Sequence, residues 1–266
     1  MKWEDLSKAQ RWAIADRLAE ERLSKVNKIS KPVVPSKTFY GTYIKRIIDI
    51  AVSTMALIIA LPFNLIAAIV TRLDVGSPIF FKQERVGKDG KLFTIVKFRN
   101  MTNDVDENGE LKPPSQRITK FGKFMRKTSL DELLNFWSVF KGDMSLIGPR
   151  PLVPEYTQRY SNRHKARLAV RPGLECPPRS LSHSVRSWQD QFENDVWYVE
   201  NLSFKTDCKM IVNLIRFTFD SKNANARATS ARGSFMGYDT SGNAISLSAV
   251  EQRYIEEIAH AQELEQ

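Results

Sequence analysis

Cysteine is nearly absent from this 266-residue sequence: Cys176 and Cys208 are its two examples. They are too few and too separated for a disulfide framework, and a reduced, cytosol-facing environment fits. Three histidines exclude a histidine-rich metal site. Paired metal-ligand cysteines and an aromatic sheet motif of the kind that stacks bases are both lacking, so no nucleic-acid partner is expected. The first residues are charged from Lys2 to Asp5 and show no apolar leader, so no cleavable signal peptide is expected. Internal repeats are lacking too. Membrane-grade apolar sequence is confined to one stretch, residues 47–70.

What is present is positive charge. Forty Lys and Arg stand against thirty Asp and Glu, a formal +10, which predicts an anionic partner such as nucleic acid, anionic lipid or a nucleotide sugar. At 42% hydrophobic the chain can bury a core, and its length suits one catalytic domain plus extensions.

Residues 3–28 place Trp3, Leu6, Ala9, Ala13, Ile14, Leu18, Leu23 and Val26 at near-helical spacing on a charged background. This predicts an amphipathic helix that packs on its own domain or lies on a membrane surface, ended by Pro32 and Pro35. As one helix, residues 47–70 would reach about 36 Å, enough for a bilayer core of about 30 Å. Pro62 near the middle and Asn64 behind it argue for a break. Lys45 and Arg46 before the run and Arg72 after it favour both ends on the cytoplasmic side. The half from Ile47 to Leu61 reaches only about 22 Å, so a helix broken at Pro62 could dip in and return. Asp49 follows Lys45 by four residues, a spacing that allows pairing.

From Pro78 to Arg99 the pattern changes to period two around Val86-Gly87-Lys88-Asp89-Gly90, a β-hairpin signature. Phe93, Ile95, Lys97 and Arg99 share one face, where the two cations could meet a diphosphate or simply end a solvated strand. Thr102–Gln116 reads as a polar loop. Residues 117–127 set Arg117, Lys120, Lys123, Arg126 and Lys127 around Ile118, Phe121, Phe124 and Met125, suiting an anionic membrane surface or an ordinary amphipathic helix.

The organising stretch runs from Arg126 to Tyr156. Ser129 and Glu132 stand in capping-box spacing, predicting a helix from Ser129 with Leu130, Leu133, Leu134, Trp137 and Phe140 on its apolar face. An aspartate at a helix N-terminus stays ionised and can bind a divalent cation or attack phosphorus; capping alone would also explain both acids. Adjacent helical residues point about 100° apart, so Asp131 and Glu132 cannot share one role. Pro149 and Pro151 hold Arg150 as a rigid fork, for phosphate or for a salt bridge.

Further on, residues 157–169 read as a charged helix. Phe204–Phe219 reads as a packing or interfacial helix with Met210, Ile211, Leu214 and Phe217 on one side. Residues 221–243 read as a polar linker. The tail, with Ser248 and Glu251 in capping-box spacing and Val250, Tyr254, Ile255 and Ile258 beyond, reads as a helix suited to self-association.

KTSLDELLNFWSVFKGDMSLIGPRPLVPEY, together with Lys45-Arg46-Ile47-Ile48-Asp49 and GSPIFFKQERVGKDGKLFTIVKFRNM, resembles the bacterial sugar transferases, the monotopic phosphoglycosyl transferases. The similarity covers roughly half the chain and fades after Pro172-Gly173. LECPPRSLSH stands where the family usually continues with isoleucine, threonine and glycine, and Leu61 stands where it usually has a serine before the proline. The resemblance implies an α/β membrane-associated enzyme with a re-entrant helix-break-helix at Pro62. It implies transfer of a phosphosugar from a uridine diphosphate sugar to polyprenyl phosphate, through an aspartyl-phosphosugar formed on Asp131. Glu132 would orient or activate, Mg2+ would bridge Asp131 and the diphosphate, Lys97, Arg99, Arg150 and Arg171 would contact substrate, and Asp195 would help bind the headgroup or metal or else cap a helix. The expected division is an N-terminal helix and linker (1–40), a membrane hairpin (41–73), a catalytic domain (74–220) and a linker with a C-terminal helix (221–266). The expected place is the cytoplasmic face of a bacterial inner membrane, among membrane lipids. A catalytically degenerate membrane scaffold of the same fold is the alternative.

Overall fold

A computed structural model describes residues 6–107, 109, 111–179, 187–219 and 233–263. The first helix, α1, runs Lys8–Ile29 from a true capping box: the Ser7 hydroxyl accepts from the Gln10 amide while the Gln10 side chain accepts from the Ser7 amide. Its apolar stripe is covered by the other end of the chain. Strands β5 (Phe235–Tyr238) and β6 (Ala244–Ser246) form an antiparallel pair, and a last helix spans Gln252–Glu263. Ile14, Ala15 and Leu18 share a core with Met236, Ile245, Leu247, Val250, Tyr254 and Ile255.

Three expectations change accordingly. The membrane-surface reading of the first helix gives way, because Leu6, Ile14, Leu18 and Val26 of its stripe are buried inside the chain. The polar-linker reading of 221–243 ends at Phe235, where four consecutive residues are buried; residues 220–232 lie outside the described ones. The described apolar residues of the tail face α1, and Glu251 binds Arg22 at 2.7 and 2.8 Å, so no box closes on Ser248.

Helix α2 spans Lys45–Val75 after a π-helical turn, Tyr40–Ile44. It is uninterrupted through Pro62, so the interruption expected there is not present as a change of secondary structure. Among the described residues it is the helix long and apolar enough to cross a membrane. Met55 and Ile58 are 63% and 68% exposed, without cover from the described residues. Its buried residues, Lys45, Asp49, Ser53, Ala60, Ala67 and Thr71, recur at spacings of four and seven and so share one face.

Both ends of α2 are tied to the same domain. At the start, Lys45 pairs with Asp207 at 2.5 Å, Arg46 donates to the carbonyls of Val139 and Phe140, and Asp49 accepts from Ser145 Oγ and the Leu146 amide. At the end, Thr119 donates to Asp74 and Arg99 to the Val75 carbonyl. Lys45 and Asp49 thus take separate partners and do not pair with each other.

That domain begins with the predicted hairpin: β1 (Phe80–Val86) and β2 (Leu92–Phe98) are antiparallel, with Phe80 opposite Phe98 and Val86 opposite Leu92. Short α3 (Pro114–Arg117) and basic α4 (Lys120–Thr128) follow, then a 3-10 turn, Leu130–Glu132, and α5 (Asn135–Lys141). Strand β3 (Ser145–Ile147) pairs in parallel with β4 (Gly173–Glu175). The charged helix expected over 157–169 is divided into two 3-10 turns around α6 (Asn162–Lys165). Helices α7 (Trp188–Glu200) and α8 (Phe204–Phe219) close the domain. On α8, Thr206, Asp207, Met210 and Asn213 are buried while Ile211, Val212 and Ile215 are exposed. The terminal helix is α9. An aromatic cluster of Tyr156, Tyr160, Trp188, Phe192, Phe235 and Tyr238 welds the terminal segments to this domain.

Candidate active site

The acidic pair is positioned by a break in helix. Helix α4 ends at Ser129, a non-glycine residue in the left-handed region (φ 57°, ψ 20°) whose amide bonds back to Arg126. Its side chain caps nothing, so the expected capping box is not made. Asp131 and Glu132 sit in the 3-10 turn, and regular helix resumes only at Asn135. Leu130 and Leu134 pack on the core formed by Phe98, Met125 and Ala67, whereas Trp137, read as part of the same apolar face, is 52% exposed and stacks on Phe140.

The two acids have opposite surroundings. Glu132 Oε1 accepts from Lys97 Nζ at 2.5 Å and from Arg150 Nη2 at 3.1 Å, and Arg150 Nη1 reaches Glu175 Oε1 at 3.1 Å. Burial alone would raise the Glu132 pKa, yet Arg150 and Lys97 hold it below the usual glutamate value. Asp131 is buried and accepts from Asn100 Nδ2 at 3.1 Å through Oδ2. Burial, with the Glu132 charge beside it, pushes Asp131 above the ordinary aspartate value despite Lys97 and Arg126.

A cavity of about 590 Å³ opens against this pair. Lys97, Arg99, Arg117 and Arg126 bring four cations to its wall, and Phe81, Phe98, Met101 and Leu111 bring an apolar side. Such a lining suits an anion joined to a less polar body.

The sequence-derived candidates divide as follows. Asp131, Glu132 and Lys97 come together at the cavity, and Arg150 reaches them through Glu132. Arg99 lines the cavity but donates to the Ser77 and Val75 carbonyls, a cation at the C-terminal end of α2. Arg171 stands apart, its Nε donating to the Gly142 carbonyl at the end of α5. Asp195 is neither in the cavity nor a helix cap: it lies mid-way along α7, fully buried, paired with Arg167 at 2.8 Å, while Ser187 caps that helix. Asn100 and Glu175 are additions the sequence did not single out, while Arg117 and Arg126, read there as surface cations, line the cavity, with Arg126 turned to Asn100. A signal existed only for these two arginines, as cations of the basic segment before the acidic pair. Among the described residues, no three His, Cys, Asp or Glu gather as a preformed metal cluster.

The family model of the bacterial sugar transferases matches residues 40–221. An uncharacterized sugar transferase, EpsL, of Bacillus subtilis is 42% identical over 173 residues, covering 65% of this chain and 86% of that protein. A putative undecaprenyl-phosphate N-acetylgalactosaminyl 1-phosphate transferase of the same organism is 40% identical over 139 residues, covering 52% of this chain and 78% of that protein. The UDP-glucose:undecaprenyl-phosphate glucose-1-phosphate transferase of Klebsiella pneumoniae is 31% identical, over 78% of this chain but 47% of that longer protein. With its match spanning the membrane-grade helix, the hairpin and the acidic turn, this chain belongs to the bacterial sugar transferase family and is an enzyme of the phosphoglycosyl transferase kind.

Proposed function

We propose that the enzyme moves a phosphosugar from a uridine diphosphate sugar to a polyprenyl phosphate, with Asp131 as nucleophile. The observation that carries the reading is the difference between the two acids. Glu132 is neutralised by Lys97 and Arg150, which leaves Asp131 as the carboxylate available at a cationic cavity.

An Asp131 oxygen attacks the β-phosphorus, forming an O–P bond as the bridging P–O bond breaks and uridine monophosphate departs with that electron pair. A phosphate oxygen of the lipid then attacks the same phosphorus, giving a lipid-linked diphosphosugar and restoring the carboxylate. Glu132, kept ionised, is an orienting group for Lys97 and Arg150 and not a proton donor. Lys97, Arg99 and Arg117 on the cavity wall stabilise charge where it builds on the phosphoryl oxygens, while Arg126 is turned to Asn100. The names of the relatives, with UDP-glucose and undecaprenyl phosphate in them, support the donor and acceptor classes.

Magnesium fits the donor set in a limited way: Asp131 offers one carboxylate, Glu132 is occupied by cations, and such ions are commonly held by one or two carboxylates plus substrate phosphates. When bound it would neutralise diphosphate charge.

The tethering of both ends of α2 to one domain supports a helix that dips into the bilayer and returns, bending at Pro62 within its unbroken run, over one whose ends lie on opposite faces about 30 Å apart. Flanking Lys45, Arg46 and Arg72 favour the cytoplasmic face of a bacterial inner membrane.

The test is release of nucleoside monophosphate from a panel of nucleotide diphosphate sugars with polyprenyl phosphate and Mg2+, native protein against Asp131→Asn. Release that requires Asp131 is expected. Undiminished release by Asp131→Asn would remove the nucleophile assignment, and no release from any donor would favour a membrane scaffold.

A further inference from the structure

An aspartate side chain has a loosely defined terminal torsion, so a nucleophilic carboxylate needs a partner to fix which oxygen faces the substrate. Glu132 cannot supply this, since its own bonded oxygen is directed to Lys97 and Arg150. Among the described residues, a side chain that bonds Asp131 is that of Asn100, two residues beyond the end of β2, whose Nδ2 donates to Asp131 Oδ2 at 3.1 Å.

The orientation of the Asn100 amide is itself determined. Arg126 Nη2 donates to Asn100 Oδ1 at 3.0 Å. A guanidinium can only donate, so the amide oxygen turns to Arg126 and the amide NH2 to Asp131. The backbone beneath is equally constrained. Gly122 lies four residues before Arg126, and a Cβ there would stand 2.1 Å from the Asn100 carbonyl oxygen, so α4 can rest on Asn100 only through a glycine. The Thr119 hydroxyl, accepting from the Gly122 amide at 2.8 Å, fixes the start of the same helix. One helix therefore sets the main chain of Asn100 with its first turn and the side chain with its last.

We propose that Asn100 is a positioning residue for the phosphoryl transfer: pinned by Gly122 and oriented by Arg126, it holds one oxygen of Asp131 so that the other is presented to the β-phosphorus. The assignment rests on Asp131 being the nucleophile. Asn100 does not bind the donor on this view, and its loss acts on the chemical step.

The test is steady-state kinetics with the native donor plus single-turnover capture of protein-bound phosphosugar, for Asn100→Ala, Arg126→Gln, the double variant and Asp131→Asn. Thermal unfolding in detergent confirms folding. Misplacing a reacting group by about an ångström can cost on the order of 100-fold, so Asn100→Ala should lower kcat by roughly 10- to 100-fold and slow the capture step equally, with donor KM within about twofold. Arg126→Gln should lose less, and the double variant should be no slower than Asn100→Ala, because the two lie on one chain of contacts. If Asn100→Ala fails to fold, Arg126→Gln alone carries the test, through a loss in kcat with KM kept. Asn100→Ala at native kcat beside an inactive Asp131→Asn overturns the positioning role and leaves the nucleophile intact. Multiplicative losses in the double variant, or a loss confined to KM, overturn it as well, showing independent contacts with the donor. An active Asp131→Asn instead overturns the reading beneath.

Discussion

Arg167 donates through Nη2 to the carbonyl oxygen of Arg150 at 2.7 Å, and the same guanidinium grips Asp195 at 3.0 Å from Nε and 2.8 Å from Nη2. Arg150 is thereby held at both ends: its side chain by Glu132 and Glu175, its main chain by a buried ion pair. Asp195, which the resemblance assigned to a headgroup or metal, thus supports the acidic site from about two contacts away.

Asp195→Asn would leave the Arg167 charge buried without its counter-ion. Breaking one partner of such a pair costs about 3–5 kcal/mol, a large share of the stability of an ordinary domain. A fall of several degrees in the thermal midpoint is expected, along with reduced turnover as the Arg150 turn loosens. Arg167→Lys should not restore either, since an ammonium cannot span Asp195 and the Arg150 carbonyl as the planar fork does. An unchanged midpoint in Asp195→Asn would show that the pair contributes nothing.

Gly173→Ala should disable the same turn from the other side. A Cβ on Gly173 would lie 2.1 Å from the Gly148 nitrogen and 2.6 Å from its oxygen, both backbone atoms that cannot swing aside. Overpacking of this kind costs about 1–3 kcal/mol or more. The Gly148 amide bonds to the Glu175 carbonyl and the Gly173 amide to the Pro149 carbonyl, so the displacement reaches Arg150 and Glu175 directly. Reduced kcat/KM together with reduced stability is expected; native kinetics would mean that β3 and β4 can separate without moving Arg150.

How much of this was legible beforehand depends on how local each signal is. The hairpin was readable because residues 80–98 alternate over a turn, a pattern set by neighbours in sequence. Ser129 and Glu132 mimicked a capping box because spacing alone cannot reveal that Glu132 is claimed by Lys97 and Arg150, which are distant in sequence and come from β2 and the Pro149-Arg150-Pro151 turn. β5 was missed because Phe235-Met236-Gly237-Tyr238 is buried on both faces and does not alternate, within a polar surrounding. Asn100 carried no signal at all, its role being defined only where α4 crosses the end of β2.

Acid should destabilise the junction between α6 and α7. Burial alone would raise Glu193, but Arg163, bonding both oxygens at 2.7 and 2.6 Å, and His164 at 3.1 Å outweigh it and lower the carboxyl from 4.5 to about 2. A carboxyl lowered on folding contributes stability that is complete above its unfolded value near 4.5 and is lost as pH falls toward about 2. Discounted for solvent screening at this half-buried site, the contribution is on the order of 1–2 kcal/mol at neutral pH. Glu193→Gln should lower the thermal midpoint at neutral pH and flatten its decline over that acid window. A variant whose midpoint still falls as steeply as the native protein's would assign the acid limb to other carboxylates.

The base of the membrane helix offers the last expectation. Asp207 receives Lys45 Nζ at 2.5 Å, the Tyr40 hydroxyl at 2.6 Å and the Tyr198 hydroxyl at 2.7 Å, with Lys45 and Asp207 both buried. One carboxylate on α8 therefore ties the turn before α2, the first residue of α2 and the last turn of α7 to a single point. Asp207→Asn keeps the shape but leaves the Lys45 charge uncompensated in the interior, at a cost of about 3–5 kcal/mol. The outward apolar residues of α2 are untouched, so the variant should still sediment with membranes while its 30–45 segment becomes sensitive to limited proteolysis. Loss of membrane association would mean instead that this anchor governs how α2 enters the bilayer, and native resistance to protease would mean that the hydrogen bonds from Arg46 and to Asp49 suffice to hold the helix base.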